Sequence, residues 1–132
     1  MCGQEEKNGT LSGYMDKVRS RTGKVPAIRG WDIRYDNPDP TDVAIEWWKK
    51  GGLPTFSWHM GAPPLGDSYS NSKKNLDVNK VLTEGTTENK SYIEKLDTMV
   101  PRLKKMEAAG VAVLWRPWHE MNGGWFWWNT SG

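Results

Sequence analysis

The chain has 132 residues, 18 of them basic and 16 acidic, for a net charge of +2, and it carries nine Trp against two Phe and a single Cys. That length suits one domain with one core, and a charge so small and scattered excludes a phosphate-tracking surface, so no nucleic-acid partner is expected. At 36% hydrophobic residues and a mean hydropathy of −0.76, no apolar run approaches the roughly 18 residues of a membrane-crossing helix, and lone Cys2 allows neither an internal disulfide nor a thiolate metal site.

The opening "MCGQEEKNGT" has no basic start followed by an apolar stretch, so it is not expected to be a signal peptide. Residues 10–22 place Leu11, Tyr14, Met15 and Val18 at helical spacing, with Gly23 as the stop. "KVPAIRGWD" then reads as a short buried strand ending near Trp31 and Asp32. Thr41 or Asp42 is placed to cap the helix "DVAIEWWKK", which Gly51 and Gly52 close. "LPTFSWHM" is the next strand, and residues 61–88, rich in Gly, Ser, Asn and Pro, read mostly as loop.

The longest helix is expected within 91–110. Tyr92, Leu96, Met99, Leu103 and Met106 recur every three or four residues, and Ile93 and Val100 widen the stripe. This stripe reads as core. Pro101 should kink or restart the helix, because proline removes a helical hydrogen bond. Gly110 ends it, "VAVLW" begins a strand, and pairing should fade at Pro117, which has no N–H to donate.

Helices alternate with strands that read as buried on both faces, which argues for an α/β fold with a parallel sheet and crossover helices. A doubly wound sheet and a segment of a (β/α)8 barrel both fit. In such folds the ligand-facing side chains gather at the C-terminal strand ends. The strand ends here carry Trp31 and Asp32, with Arg34 and Asp36 beyond; then Trp58 and His59; then Arg116, Trp118, His119 and Glu120. Nine Trp leave two readings open: several rings are simply core, or some form flat apolar platforms for a ligand such as a sugar ring.

Glu120 is the leading candidate for chemistry. A carboxyl group beside indoles loses hydration of its charged form, which raises its pKa toward that of a general acid. The bland alternative is a Glu that only pairs Arg116. A metal site built on His119, Glu120 and His59 is a weak signature, since adjacent strand residues point to opposite faces.

The string "WRPWHEMNGGWFWW", preceded by "PAIRGWD" and "AIEWWKKGGLPTFSWH" in the same order, resembles glycoside hydrolase family 26, best known for endo-β-1,4-mannanases. The likeness runs from Gly3-Gln4 to Trp128. It implies a (β/α)8 barrel and a retaining mechanism without a metal or other cofactor. Residues 1–132 would be part of one catalytic domain, roughly the end of the first strand through the fourth. The resemblance further implies Glu120 as the acid/base residue, with His59, Arg116, His119, Trp125 and Asp32 as substrate-binding residues.

A polysaccharide partner follows: β-mannan, galactomannan or glucomannan, met outside the cell. In the family the nucleophile comes from the seventh strand, which would lie beyond Gly132. Two other readings stay open at this stage. One is a non-catalytic carbohydrate-binding piece. The other is an inactive truncated fragment, which would self-associate through its unpaired sheet edges.

Overall fold

The computed structural model describes residues 14–34 and 38–129. Cys2, Leu11, Asp36 and the expected end of a first strand at residues 1–4 lie outside the described residues. The elements run α1 (Tyr14–Thr22), β1 (Ile28–Asp32), α2 (Thr41–Lys49), β2 (Leu53–Ser57), α3 (Val78–Leu82), α4 (Thr87–Ala108) and β3 (Leu114–Arg116). A one-turn 3-10 helix, Asn71–Lys73, interrupts the connection after β2. No helix among the described residues is long and apolar enough to cross a membrane.

The three strands form one parallel sheet in the order β1-β2-β3, with α2 crossing from β1 to β2 and α3 and α4 crossing from β2 to β3. Parallel neighbours need such crossovers, because a hairpin cannot join them. In register, Asp32 pairs with Ser57 and Ser57 with Arg116. The C-terminal strand ends therefore stand level, and whatever follows each of them meets on one rim.

The core lies where α2 and α4 cover the sheet. Phe56 and Ile33 are fully buried, joined by Ala44, Ile45 and Trp47 from α2 and by Met99 and Met106 from α4. Each such side chain withdrawn from water contributes about 1.5–3 kcal/mol. Arg29 is buried as well, its guanidinium 4.7 Å from the Trp31 ring and 5.7 Å from that of Trp47. Part of the indole surplus is thus spent on housing a cation inside the core, where the negative ring faces attract it.

Several expectations need correction. The start of α2 is capped by neither Thr41 nor Asp42: Asp39 Oδ1 accepts from the Thr41 N–H at 2.9 Å, and Thr41 is already inside the helix. Residues 61–88 are mostly loop, as expected, but they also hold the 3-10 turn, all of α3 and the start of α4. Their polar composition hides two capped starts, Asp77 accepting from Asn79 N–H and Thr86 accepting from Asn89 N–H.

Helix α4 carries Pro101 inside one 22-residue element rather than restarting there. Met99 and Met106, buried on either side of Pro101, hold both halves against the same core, so packing outweighs the lost hydrogen bond. Ile93 and Val100 do not widen the buried stripe, being 47% and 41% exposed. The helix packs through one face only, and these two sit on its shoulder. Strand β3 is not buried on both faces either: Leu114 is 43% exposed, because the strand pairs only with β2 and stands at the edge of the described sheet. It ends at Arg116, just before Pro117, as the missing N–H requires.

Candidate active site

The level rim brings Asp32, His59, Arg116, His119, Glu120 and Trp125 into one region. Asp32 closes β1 with a side chain fully shielded from solvent. Its Oδ1 accepts the His59 backbone N–H at 3.2 Å, and its Oδ2 lies 2.6 Å from His59 Nδ1. Arg34 Nε stands 3.0 Å from the same Oδ2, an ion pair rather than a directed hydrogen bond. Asp32 is thus placed beneath His59, where no sugar would reach it. On its far side the His59 ring meets His119, Nε2 to Nε2 at 3.3 Å.

The segment after β3 abandons extended geometry at once. Residues 117–120 turn, and Glu120 adopts φ +55°, the sole positive φ on a non-glycine among the described residues. The left-handed conformation is costly for a side chain with a Cβ and marks sites that the surroundings over-determine. Here it lets two adjacent residues serve different purposes. His119 points inward to His59, while Glu120 is exposed, with Trp125 Nε1 donating to its Oε2 at 3.1 Å.

The two glycines of "NGGW" make that last contact possible. A Cβ on Gly123 would fall 2.3 Å from the Trp125 ring, and Gly124 turns the chain with φ +79°. Trp125 can therefore fold back over residue 123 toward the carboxylate.

The expectation that surrounding indoles would strip water from Glu120 is not met: the carboxylate is exposed, and one indole edge touches it rather than a wall of ring faces. The bland alternative fails too, since no ion pair joins Arg116 to Glu120; Arg116 Nε donates instead to Thr55 Oγ1 at 3.1 Å.

The connection after β2 braces the rim from below. Asp67, 5% exposed in its side chain, accepts from the buried Trp58 Nε1 at 2.7 Å and from the Gly61 N–H at 3.1 Å, and pairs with Lys95 of α4 at 2.5 Å. Gly61 is obligatory beside it, because a Cβ there would lie 2.1 Å from the Gly66 carbonyl oxygen. Trp127 locks the C-terminal segment onto the same loop, donating its N–H to Ser72 O at 3.0 Å and its Nε1 to Met60 O at 2.9 Å. A groove of about 770 Å³ opens beside Trp125, lined also by Lys73, Lys74, Asn75 and Asn129.

Sequence reasoning missed Tyr69, Phe126 and Trp128. Tyr69 and Phe126 pack edge-on against His59 at 5.3 and 5.2 Å, and Trp128 stacks on Phe126 at 4.4 Å while donating to the His119 carbonyl at 3.0 Å. Tyr69 was detectable as the sole aromatic in the polar stretch 61–88. For Phe126 and Trp128 the signal was there, in the aromatic run, but nothing in it told wall from platform.

Burial lowers the proton affinity of His119 below the ordinary imidazole value, and the neighbouring His59 lowers it further. The sign for stability follows. Below about pH 6.5 the unfolded chain protonates this residue while the native state resists, so native stability falls as the pH drops below that value. Urea midpoints measured from pH 7 to pH 5 should decline less steeply in His119→Asn than in wild type; equal slopes would show that the loss arises elsewhere.

The model of glycosyl hydrolase family 26 matches residues 1–132. The mannan endo-1,4-beta-mannosidase of Bacillus subtilis strain 168 is 37% identical over 145 aligned positions, covering 94% of this chain and 40% of that protein. Mannan endo-1,4-beta-mannosidase A of Piromyces sp. is 35% identical over 124 positions, covering 83% of this chain and 20% of its own length. Among solved structures, Bacillus subtilis mannanase man26 superposes with a TM-score of 0.81 at 31% identity, over 93% of this chain and 40% of that one. GH26A from Muricauda sp. MAR_2010_75 gives 0.79 at 33%, over 97% and 45%. The chain therefore spans between a fifth and under half of these relatives, and its parallel sheet with crossover helices is part of a (β/α)8 barrel. This chain belongs to glycosyl hydrolase family 26.

Proposed function

We propose that residues 1–132 form part of one catalytic domain that cleaves β-1,4-mannosidic bonds with retention, and that this chain supplies the acid/base half of the site. The observation that carries the reading is the exposed Glu120 carboxylate, held by Trp125 Nε1 at 3.1 Å on a rim shared with His59, His119 and Arg116. Family membership, with mannan endo-1,4-beta-mannosidases among the relatives, supplies the reaction class and the polymer. Mannan, galactomannan and glucomannan are the substrates this reading implies.

In the proposed mechanism Glu120 protonates the glycosidic oxygen as a second carboxylate attacks the anomeric carbon. Glu120 then takes a proton from the water that releases the covalent intermediate, which needs the two carboxyl groups roughly 5–5.5 Å apart. Trp125, His59, His119 and Arg116 are the groups on the rim proposed to receive the sugar.

Asp32 and Asp67 are not placed to serve as that second carboxylate. Asp32 is sealed beneath His59, and Asp67 is held by Trp58, Gly61 and Lys95. The nucleophile is therefore proposed to come from another segment of the barrel. The test is stereochemical: proton NMR during mannohexaose cleavage by the protein expressed from its complete reading frame. The β-anomer should appear first and mutarotate afterwards. The α-anomer appearing first, or no cleavage, would overturn the proposal.

A further inference from the structure

We propose that Asp32 is a positioning residue for this site, acting through two histidines of fixed tautomer: it holds the His59 proton on Nδ1, so that His59 Nε2 receives the Nε2 proton of His119. The inference rests on the proposed role of Glu120 for its functional meaning, and on geometry alone for its chemistry.

Start at the buried end. Asp32 Oδ2 lies 2.6 Å from His59 Nδ1 with Arg34 Nε at 3.0 Å from the same oxygen. A carboxylate oxygen beside a guanidinium accepts, so His59 Nδ1 carries the hydrogen. A neutral His59 then has only a lone pair on Nε2, and the His119 Nε2 at 3.3 Å must donate to it.

The far end gives the same answer independently. His119 Nδ1 is buried with no hydrogen-bond partner. In the opposite polarity, with His59 donating to His119, that atom would be an orphaned N–H. An orphaned donor is the rarer and costlier defect, whereas a bare lone pair is tolerated more readily. Both ends therefore select one arrangement. The reduced proton affinity that burial and His59 impose on His119 is consistent with a neutral ring there.

What this does for the site is steric and electrostatic. The His119 ring cannot swing, being held by His59 on one side and packed against Phe126, while Trp128 Nε1 grips its carbonyl. The next residue is Glu120 at φ +55°, so fixing residue 119 fixes the launch point of the carboxylate. A neutral ring also avoids placing an imidazolium beside a general acid, where the positive charge would favour the ionised carboxylate and deplete the protonated form the step needs.

The chain has only two histidines, so long-range 1H–15N correlation spectra of 15N-histidine-labelled protein read both rings without ambiguity. At neutral pH wild type should show His59 as the Nδ1–H tautomer and His119 as the Nε2–H tautomer. In Asp32→Ala no carboxylate is left to accept the His59 Nδ1 proton. Both histidine signals should then leave their wild-type tautomers, including His119, which does not touch residue 32.

His59 found as Nε2–H in wild type would overturn the proposal. So would a folded Asp32→Ala with both tautomers unchanged; should that variant not fold, the wild-type spectrum decides alone. Neither readout uses mannan. Absence of mannan cleavage would refute the proposed function and leave the tautomers standing, and the reverse also holds.

Discussion

Glu120→Gln is expected to lower kcat for mannan hydrolysis by 10²–10⁴-fold, measured as reducing-sugar release by the protein expressed from its complete reading frame. Positioned general-acid catalysis contributes about that factor, which corresponds to roughly 3–5 kcal/mol on the barrier. The substitution is nearly isosteric, and the amide oxygen can still accept from Trp125 Nε1, the contact seen at 3.1 Å. Binding of mannohexaose by calorimetry should therefore stay within a few-fold of wild type while turnover collapses.

A substrate whose leaving group needs no proton separates this role from a structural one. With an aryl β-mannobioside carrying a good leaving group, the first step should recover and azide should restore release of the glycosyl intermediate. A loss of less than tenfold on mannan would remove Glu120 from the acid/base role.

Asp67→Ala should be the most destabilising single change near the rim, by about 3 kcal/mol, read as the urea midpoint and slope of the chain. One carboxylate satisfies the buried Trp58 Nε1 and the Gly61 N–H and neutralises Lys95, itself 13% exposed. Removing it leaves two donors unmet and a largely buried ammonium uncompensated, which is why breaking such a pair from one side is worse than deleting both partners. Asp67→Ala with Lys95→Met should recover part of the loss. If the single variant shifts stability by less than 1 kcal/mol, Asp67 is not the brace described. These surroundings assign Asp67 to the scaffold.

Much of the architecture was legible from residues alone, where local chemistry leaves few options. Gly23, Gly51 and Gly110 closed helices as expected, each with a positive φ that a side chain resists. Pro117 marked the end of β3, and the Tyr92–Met106 stripe identified the face of α4 that packs. The rim set also came from sequence, since three strands in level register must deliver Asp32, His59 and the 116–120 segment to the same end.

What failed were statements about environment. Pro101 was judged by the hydrogen bond it removes, but Met99 and Met106 packing on either side keeps α4 in one piece. Ile93, Val100 and β3 were judged by hydrophobicity, and hydrophobicity does not say which neighbour is present. Glu120 was judged by the indoles beside it in the chain, yet sequence proximity does not decide whether a ring presents a face or an edge.

The sequence by itself determined the family, the alternation of helices and strands and the polar residues of the rim, because spacing, turn chemistry and a long specific motif are properties of the chain. Tertiary structure alone decided that Asp32 lies under His59 instead of facing solvent, that Asp67 is a brace, and that His119 and Glu120 part company at a left-handed residue. Those outcomes depend on which partner occupies the few ångströms around each polar atom, and distances of that kind are set only when separate segments meet.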